Sequence, residues 1–454
     1  MSVTISFLGG ADTVTGSKYL IEHNHRRLLV DCGLFQGYKQ LRLRNWAPLP
    51  VVPAQLDAVV LTHAHLDHSG YIPLLVREGF DRTIHATPGT LDLCKVLLPD
   101  SGHIQEEDAA FANRHGFSKH APALPLYTRQ DAIDSLGTFH TEPYGAWFEP
   151  IRGWRARFQN AGHILGAASL LLEVGGRRIL FSGDLGRTDD PLMNPPEPPP
   201  QADTVLIEST YGNRQHPPGK LFGELGPLLQ KLAKRGGVAV VPVFAVGRAQ
   251  AVLHTIAQLK AAGELPRSLP IFLDSPMAIH TTALFEKHMG EHRLSLTEVH
   301  AMDRVATMLE TPDQSKSLAT RHGPMVILAA SGMATGGRVL HHLAQYAGDH
   351  RNMIILTGFQ APGTRGERLA SGQTSIRIHG QDVAIRAEVA QIESASAHAD
   401  GNQLLSWLHT MPTAPGQVYV VHGEREASDM LRQRIEHEIK WRAVVPEHGS
   451  VWPA

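Results

Sequence analysis

The sequence predicts an α/β protein in which one domain is interrupted by another. Three observations carry this. Short apolar runs ending in glycine turns fill the first part of the chain. After "ADTVLIEST" the pattern changes to apolar strand, glycine-rich loop and helical stretch in repeated alternation. From about residue 384 the earlier character returns, with histidines at strand ends.

The elements follow in order. "VTISFLGG", "YLIEH", "RRLLVDCG" and "LDAVVLTHAH" are rich in β-branched and aliphatic residues and stop at turn formers, so they read as strands. "SGYIPLLVREG" reads as a helix, and "SLLLEVGGRRILFSGD" as a hairpin around Gly175-Gly176. "PLMNPPEPPP" (191–200) reads as a proline-rich surface spacer. "GVAVVPVFAVGRAQAVLHTIAQL", "PMVILAASGMATGGRVLHHLAQY" and "NMIILTGFQAPGTRGERLA" each pair a buried-type strand with a helix, which predicts parallel strands with crossovers. "VAQIESASAHADG" and "QVYVVHGERE" close the chain as alternating strands, and no internal repeat is present.

Composition sets the function classes. With 454 residues, 42% apolar and 19% charged, the chain can bury a sizeable core. A net charge of −2 gives no support to wholesale nucleic-acid binding, so any polyanion site must be local. No apolar run approaches the ~18 residues of a membrane span. "MSVTISFLGG" lacks the charged start and cleavage site of a leader, so a cytoplasmic protein without a membrane partner is expected. Two cysteines, Cys32 and Cys94, give no disulfide framework. The unusual figure is 27 histidines, which favours metal.

The densest cluster is "LTHAHLDHSG" at 61–70. His63 and His65 stand two apart on an extended segment and point the same way. Asp67 and His68 follow where the chain turns into a helix, so one short loop can serve two adjacent centres. Imidazoles sharing a site with a carboxylate suit a hydrolytic zinc.

With "THAHLDH" on the page, the chain resembles the metallo-β-lactamase fold superfamily. The rest of that pattern follows in order: "LLVDCG" with Asp31, "NAGHILGA" with His163, "LFSGDLG" with Asp184 and "VVHGE" with His422. The resemblance implies an αββα sandwich holding two Zn²⁺ per chain, and manganese is compatible with the same ligands. It assigns His63, His65 and His163 to one ion, Asp67, His68 and His422 to the other, and Asp184 to the bridge. Asp31 becomes an orienting carboxylate. Two such ions share a hydroxide nucleophile and stabilise attacking and leaving oxygens.

Three further stretches, "LIESTYGNR" with Glu208, "SASAHADG" with Ser396 and His398, and "VYVVHGE", resemble the additional motifs of the β-CASP branch. That branch processes nucleic acids. It includes ribonuclease J and the endonuclease subunit of pre-mRNA 3′-end cleavage, and its compact bacterial and archaeal members are the closer match. The resemblance covers essentially the whole chain. It implies a metallo-β-lactamase core at 1–208 and 385–454 around an inserted, mostly parallel α/β β-CASP domain at 209–384. RNA would lie in the cleft between them. It also gives His398 a contact to the scissile phosphate, supported by a hydrogen bond to Glu208. Asp400 and Gln403 form a capping-box signature, so His398 would precede a helix N-terminus, where backbone N–H groups favour phosphate.

"ASGMATGGR" with Ser331, Gly332 and Arg338, and "GFQAPGTRGER" with Arg365 and Arg368, resemble the β-CASP loops that hold RNA phosphates. Neither is a Walker loop, since G-K-[ST] is absent. The reading is therefore a zinc-dependent ribonuclease acting on single-stranded RNA, endonucleolytic, 5′-exonucleolytic or both, with Asp31, Asp67, Asp184, Glu208 and His398 as its catalytic groups. A homodimer is compatible with it. One rival is a small-molecule hydrolase of the thioesterase or lactonase type, which leaves the insertion and His398 without a role. The other is a non-catalytic RNA-binding relative, which the filled ligand positions disfavour.

Overall fold

The protein is described by a computed structural model covering residues 2–116, 118–216, 220–361 and 363–454. It divides into two compact units, residues 1–215 with 398–454, and residues 216–397.

The first unit contains two seven-stranded sheets. One joins β1 (Thr4–Gly9), β2 (Lys18–His23), β3 (Arg26–Val30), β4 (Ala58–Val60), β5 (Ile84–Ala86) and β6 (Phe139–Thr141), with β22 (Val451–Pro453) beyond β1. The other joins β7 (Trp147–Ile151), β8 (Trp154–Asn160), β9 (Ala168–Val174), β10 (Arg177–Phe181), β11 (Thr204–Glu208), β20 (Gln417–Val421) and β21 (Ala443–Val444). Alternate residues point inward as the two-residue strand period requires. Ile5 and Phe7, Leu28 and Val30, and Leu170 and Leu172 thereby meet in one core between the sheets. The β9–β10 turn has Gly175 and Gly176 at φ 56° and 76°, the doubly left-handed turn a two-residue hairpin uses.

In each sheet antiparallel pairing gives way to parallel pairing, from β3 to β6 and from β10 to β21. The parallel strands run out at one end. Asp31 follows β3, His63 lies just past β4, Asp184 follows β10, Glu208 ends β11 and His422 follows β20. Carboxyl ends of parallel strands are where open α/β sheets gather their ligand groups.

The stretch 191–200 is irregular, but it is more than a surface spacer. Leu192 and Met193 are buried, and Trp407 donates to the Glu197 carbonyl at 2.7 Å.

The second unit holds a wholly parallel six-stranded sheet. Its strands are β12 (Val238–Pro242), β13 (Ile271–Asp274), β14 (Thr307–Met308), β15 (Met325–Ala329), β16 (Met353–Thr357) and β19 (Glu388–Ile392), in the order β14-β13-β15-β12-β16-β19. A separate hairpin joins β17 (Ser375–Ile378) to β18 (Gln381–Ala384). β12, β15 and β16 are buried throughout, as strands covered on both faces must be.

The compact units divide at 215/216 and 397/398, against expected limits of 208/209 and 384/385. β19 pairs with β16, so residues 388–397, expected in the completing segment of the core, belong to the second unit. Residues 209–215 stay with the first, where Ser209 donates to the Val421 carbonyl at 2.7 Å. Among the described residues no helix is long and apolar enough to cross a membrane.

Candidate metal centre

The loop after β4 and the short helix Leu66–Ser69 carry His63, His65, Asp67 and His68. They meet Asp31, His163, Asp184 and His422 at the strand ends of the first unit. His63, His65, His163 and Asp184 offer ligand atoms within 4.8 Å of one another, as do Asp67, His68 and His422.

Asp184 joins the two groups. Its Oδ2 lies 3.4 Å from His63 Nε2 and 3.7 Å from His163 Nε2. Its Oδ1 lies 3.3 Å from both His68 Nε2 and His422 Nδ1. His65 Nδ1 is 3.1 Å from His163 Nε2, His68 Nε2 is 3.0 Å from His422 Nε2, and His422 Nε2 is 3.4 Å from Asp67 Oδ2. Ligands ~2.0–2.1 Å from a tetrahedral zinc stand roughly 3.3 Å apart, so these spacings suit a shared ion in each group. Two buried atoms add to the fit: among the described residues His63 Nε2 and Asp184 Oδ1 have no hydrogen-bond partner. Orphaned buried polar atoms are costly, and a cation would satisfy both.

The surrounding hydrogen bonds select the nitrogen each imidazole presents. Thr62 donates from N to Asp31 Oδ1 at 2.7 Å and from Oγ1 to Asp31 Oδ2 at 2.9 Å. With its proton so placed, Thr62 Oγ1 accepts from His63 Nδ1 at 3.2 Å, and the His63 lone pair moves to Nε2. Asp31 Oδ2 also faces His68 Nδ1 at 2.8 Å, which frees His68 Nε2 in the same way. In the other half Thr210 Oγ1 donates to the His422 carbonyl at 3.2 Å and lies 3.1 Å from His422 Nδ1. The sequence reading passed over both threonines. Their signal was position: Thr62 stands directly before His63, and Thr210 two residues after Glu208.

At three of the imidazoles the electrostatics agree with ligation. Burial pushes the His63 imidazole down, and His68 adds to it. Burial and neighbouring His63 push His65 down to about 3, and burial with His398 and other histidines lowers His163 well below its usual value. Neutral imidazole is the ligating form. Burial also acts against a charged His68, but Asp184 and Asp31 outweigh it and raise that group well above its usual range. Asp67 and Asp184 are held below the ordinary carboxylate range. Burial opposes this, and the histidines around them outweigh it: the His422 hydrogen bond first for Asp67, the His422 and His68 charges for Asp184.

His398 sits beside this group rather than within either ligand set. Its Nδ1 is 3.2 Å from Glu208 Oε1 and 3.9 Å from Asp184 Oδ2, and its ring lies 4.4 Å from that of His163. Glu208 is fully buried and fixed by donors from Leu185 N at 2.8 Å and Thr210 N at 3.2 Å. The helix Gly401–His409 begins three residues later, with Asp400 and Gln403 forming its reciprocal cap.

The remaining expected residues lie in the second unit. Ser331 Oγ accepts from Thr335 N at 3.2 Å, and Gly332 packs where a Cβ would meet the Phe244 ring at 2.5 Å. Ser396 is buried, its N–H directed to the Glu393 carbonyl at 3.4 Å. Two of the three arginines, Arg338 and Arg365, are engaged inside this unit. Arg338 donates to Asp274 Oδ1 at 2.7 Å and to the carbonyls of Leu309 and Glu310 at 3.0 and 2.7 Å. Arg365 donates to the carbonyls of Arg377, Ala334 and Thr335 at 2.7, 3.3 and 3.1 Å. Both guanidinium groups tie loops together, and Asp274 offsets the Arg338 charge, so neither presents its full donor set to a phosphate.

Three family models match the chain: the metallo-β-lactamase superfamily over residues 12–122, a β-CASP domain over 249–369, and a Zn-dependent metallo-hydrolase RNA specificity domain over 382–446. The chain is similar to a Thermus thermophilus protein named Ribonuclease TTHA0252, at 36% identity over 92% of each chain. It is also similar to an RNase J-like protein of Methanocaldococcus jannaschii, at 31% identity over 99% of this chain and 100% of that one. A third relative, named Transcription termination factor FttA, from Methanosarcina mazei, is 29% identical over 96% of this chain and 69% of its own. A solved structure, of a protein of unknown function from Enterococcus faecalis, covers the whole of both chains with a TM-score of 0.54 and 14% identity, a likeness of fold.

Proposed function

Because the chain belongs to the β-CASP branch of the metallo-β-lactamase superfamily and is a metal-dependent hydrolase, we propose that it is a zinc-dependent ribonuclease cutting phosphodiester bonds of single-stranded RNA. The names of two relatives and the RNA specificity domain support the substrate class. The observation that carries the chemistry is the placement of Asp184, whose two oxygens face two separate ligand groups. That arrangement fits a pair of ions with a carboxylate bridge.

His63, His65 and His163 would hold one ion, Asp67, His68 and His422 the other. When bound, the pair supplies Lewis acidity toward the phosphoryl oxygens and makes water a competent nucleophile near neutral pH. Asp31 keeps the His68 ring aligned through its 2.8 Å contact with Nδ1. Glu208 accepts from Nδ1 of His398, so the opposite ring nitrogen is the one assigned to the scissile phosphate and to protonation of the leaving oxygen. Ser331, Gly332 and Ser396 would contact RNA phosphates. Arg338 and Arg365 act by holding the loops that carry the first two.

Digestion of end-labelled linear RNA beside circular RNA of the same sequence tests this reading. The expected result is cleavage of single strands that stops on chelation and returns with zinc. Opening of the circle marks an endonuclease, and products only from the 5′ end mark an exonuclease. A preparation that leaves both RNAs intact while hydrolysing a thioester or lactone overturns the proposal in favour of small-molecule chemistry.

A further inference from the structure

The helix Lys39–Arg44 buries none of its residues. The segment around it, "YKQLRLRNW", holds two aromatic and three cationic side chains and no acid. Tyr38 is 54% exposed, Leu43 56% and Trp46 59%. Single exposed apolar residues are ordinary, but three within nine residues make a patch of the kind that meets a partner. Folding does not account for them, since the core of this unit lies elsewhere.

The patch is held in place. Buried Asn45 accepts from Phe35 N at 2.9 Å and donates to the Phe35 carbonyl at 2.8 Å, clamping the end of the segment onto its beginning. The beginning is in turn sewn to the metal-centre turn. Cys32 donates to the His68 carbonyl at 2.7 Å and Leu34 to the Leu66 carbonyl at 2.8 Å. The chain thus runs from Asp31, through bonds to the turn bearing Asp67 and His68, directly into an exposed aromatic and cationic surface.

Charge decides the occupant. Asp108 lies within electrostatic reach of Arg42 and offsets part of that charge. Lys39 and Arg44 remain, and the Arg44 guanidinium sits 5.4 Å from the Phe35 ring centroid. A two-fold pairing with a second copy would set this patch against itself and its like charges in contact, which is unfavourable. A polyanion with flat, stackable groups satisfies both components, as in sequence-tolerant binding of single strands.

We propose that residues 38–46 form a docking surface for single-stranded RNA running on from the scissile site, with bases stacked on Tyr38 and Trp46 and phosphates paired with Lys39, Arg42 and Arg44. The inference rests on the ribonuclease reading. Its test uses two variants, Tyr38→Ala/Trp46→Ala and Lys39→Gln/Arg42→Gln/Arg44→Gln, loaded with zinc beside the parent. Affinity is read by fluorescence anisotropy with a phosphorothioate-linked single-stranded 20-mer that resists cleavage. Stacking contributes ~1–3 kcal/mol per base, so the aromatic variant should bind at least roughly tenfold more weakly. Losing three phosphate contacts should reduce the slope of log affinity against log salt by about 2. Hydrolysis of bis(p-nitrophenyl) phosphate should be unchanged in both.

Unchanged affinity and salt slope in folded variants, while the parent binds and cuts RNA, overturn the docking surface alone. A parent that neither binds nor cuts RNA overturns the ribonuclease reading itself. Equal losses of small-diester hydrolysis and RNA affinity overturn the docking surface and make the segment a support of the metal centre. A parent dimer that becomes monomeric in the variants, with RNA affinity intact, reassigns the patch to self-association.

Discussion

Lys18 is a cation in the interior of the first unit, 2% exposed. Its ammonium donates to the Gly33 carbonyl and lies 4.8 Å from the Phe35 ring centroid and 4.7 Å from that of Tyr71. Burial pushes its pKa from 10.5 down to about 8, with Cys32 resisting slightly. Below pH 8 the folded and unfolded chains both carry the proton, and the folded state bears the whole cost of the buried charge. Between pH 8 and 10.5 the unfolded chain holds more protons than the folded one, so stability rises with pH. One pKa unit corresponds to 1.36 kcal/mol, which makes the gain roughly 2–3 kcal/mol between pH 7 and pH 10. Lys18→Met keeps most of the volume and removes the titration, while leaving the Gly33 carbonyl short of a donor at a cost of ~1–3 kcal/mol. The sign of the difference at one pH is therefore not diagnostic; its slope is. Denaturant unfolding of parent and variant at pH 7, 8.5 and 10 should show the parent gaining on the variant by that amount. A difference that stays constant across the three pH values would refute the buried-cation argument.

Two further tests separate roles around the centre. His398→Ala should lower RNA turnover ~10²–10⁴-fold, the usual range for a general acid or base, with zinc content unchanged. His422→Ala should lose zinc, and equal metal loss in the two variants would show that His398 is a ligand. Gly33→Ala should reduce zinc content and activity together, because a Cβ there would stand 1.6 Å from the Asp67 carbonyl oxygen and must displace the turn carrying Asp67 and His68. Metal analysis of the folded variant showing the parent's zinc content would mean the turn absorbs the change elsewhere.

The cluster at 63–68 was legible because its geometry is local, a strand end with two histidines on one side and a tight turn behind; His163, Asp184 and His422, 98 to 354 residues from their partners there, were legible only through the family resemblance. The Asp400–Gln403 cap was legible for the same local reason as the cluster. The fate of β19 was not. An alternating strand states that it needs a sheet edge, not which sheet supplies one, and β16 proved to be the neighbour. The partners of Arg338 and Arg365 were illegible for a different reason. An arginine beside a glycine-rich loop has equal chemical claim on a phosphate and on a ring of carbonyls. The deciding partner of Arg338 is Asp274, 64 residues earlier in the chain. Lys18 and the exposed Tyr38–Trp46 segment were illegible because burial and exposure of such residues depend on what the rest of the fold covers.

What the fold adds to the ligand list is control over their state. Asp31 and His422 both sit in the left-handed region, at φ 59° and 49°. For residues with side chains such conformations cost of order 1–3 kcal/mol and persist only where surrounding bonds over-determine them. Here they do: Asp31 N donates to the Val60 carbonyl at 2.9 Å and His422 N to the Gly10 carbonyl at 2.6 Å, while each side chain is engaged by a threonine. The two halves thus share one device. A strained residue at the carboxyl end of a parallel strand aims its side chain inward, and a hydroxyl whose own proton is already committed fixes an imidazole tautomer. Thr62 serves His63 in one half, and Thr210 serves His422 in the other. At these two imidazoles the hydroxyl directs which ring nitrogen is left for an ion, whereas His68, raised above its usual range by Asp184 and Asp31 against burial, must give up a proton to ligate. Asp31, Asp184 and His422 thus stand at strand ends, while His63, His65, Asp67 and His68 are carried on the turn after β4. The imidazoles of His63, His68, His163 and His422 stand within 3.7 Å of the one carboxylate of Asp184, and the strand ends carry the two left-handed residues, Asp31 and His422, that complete the frame.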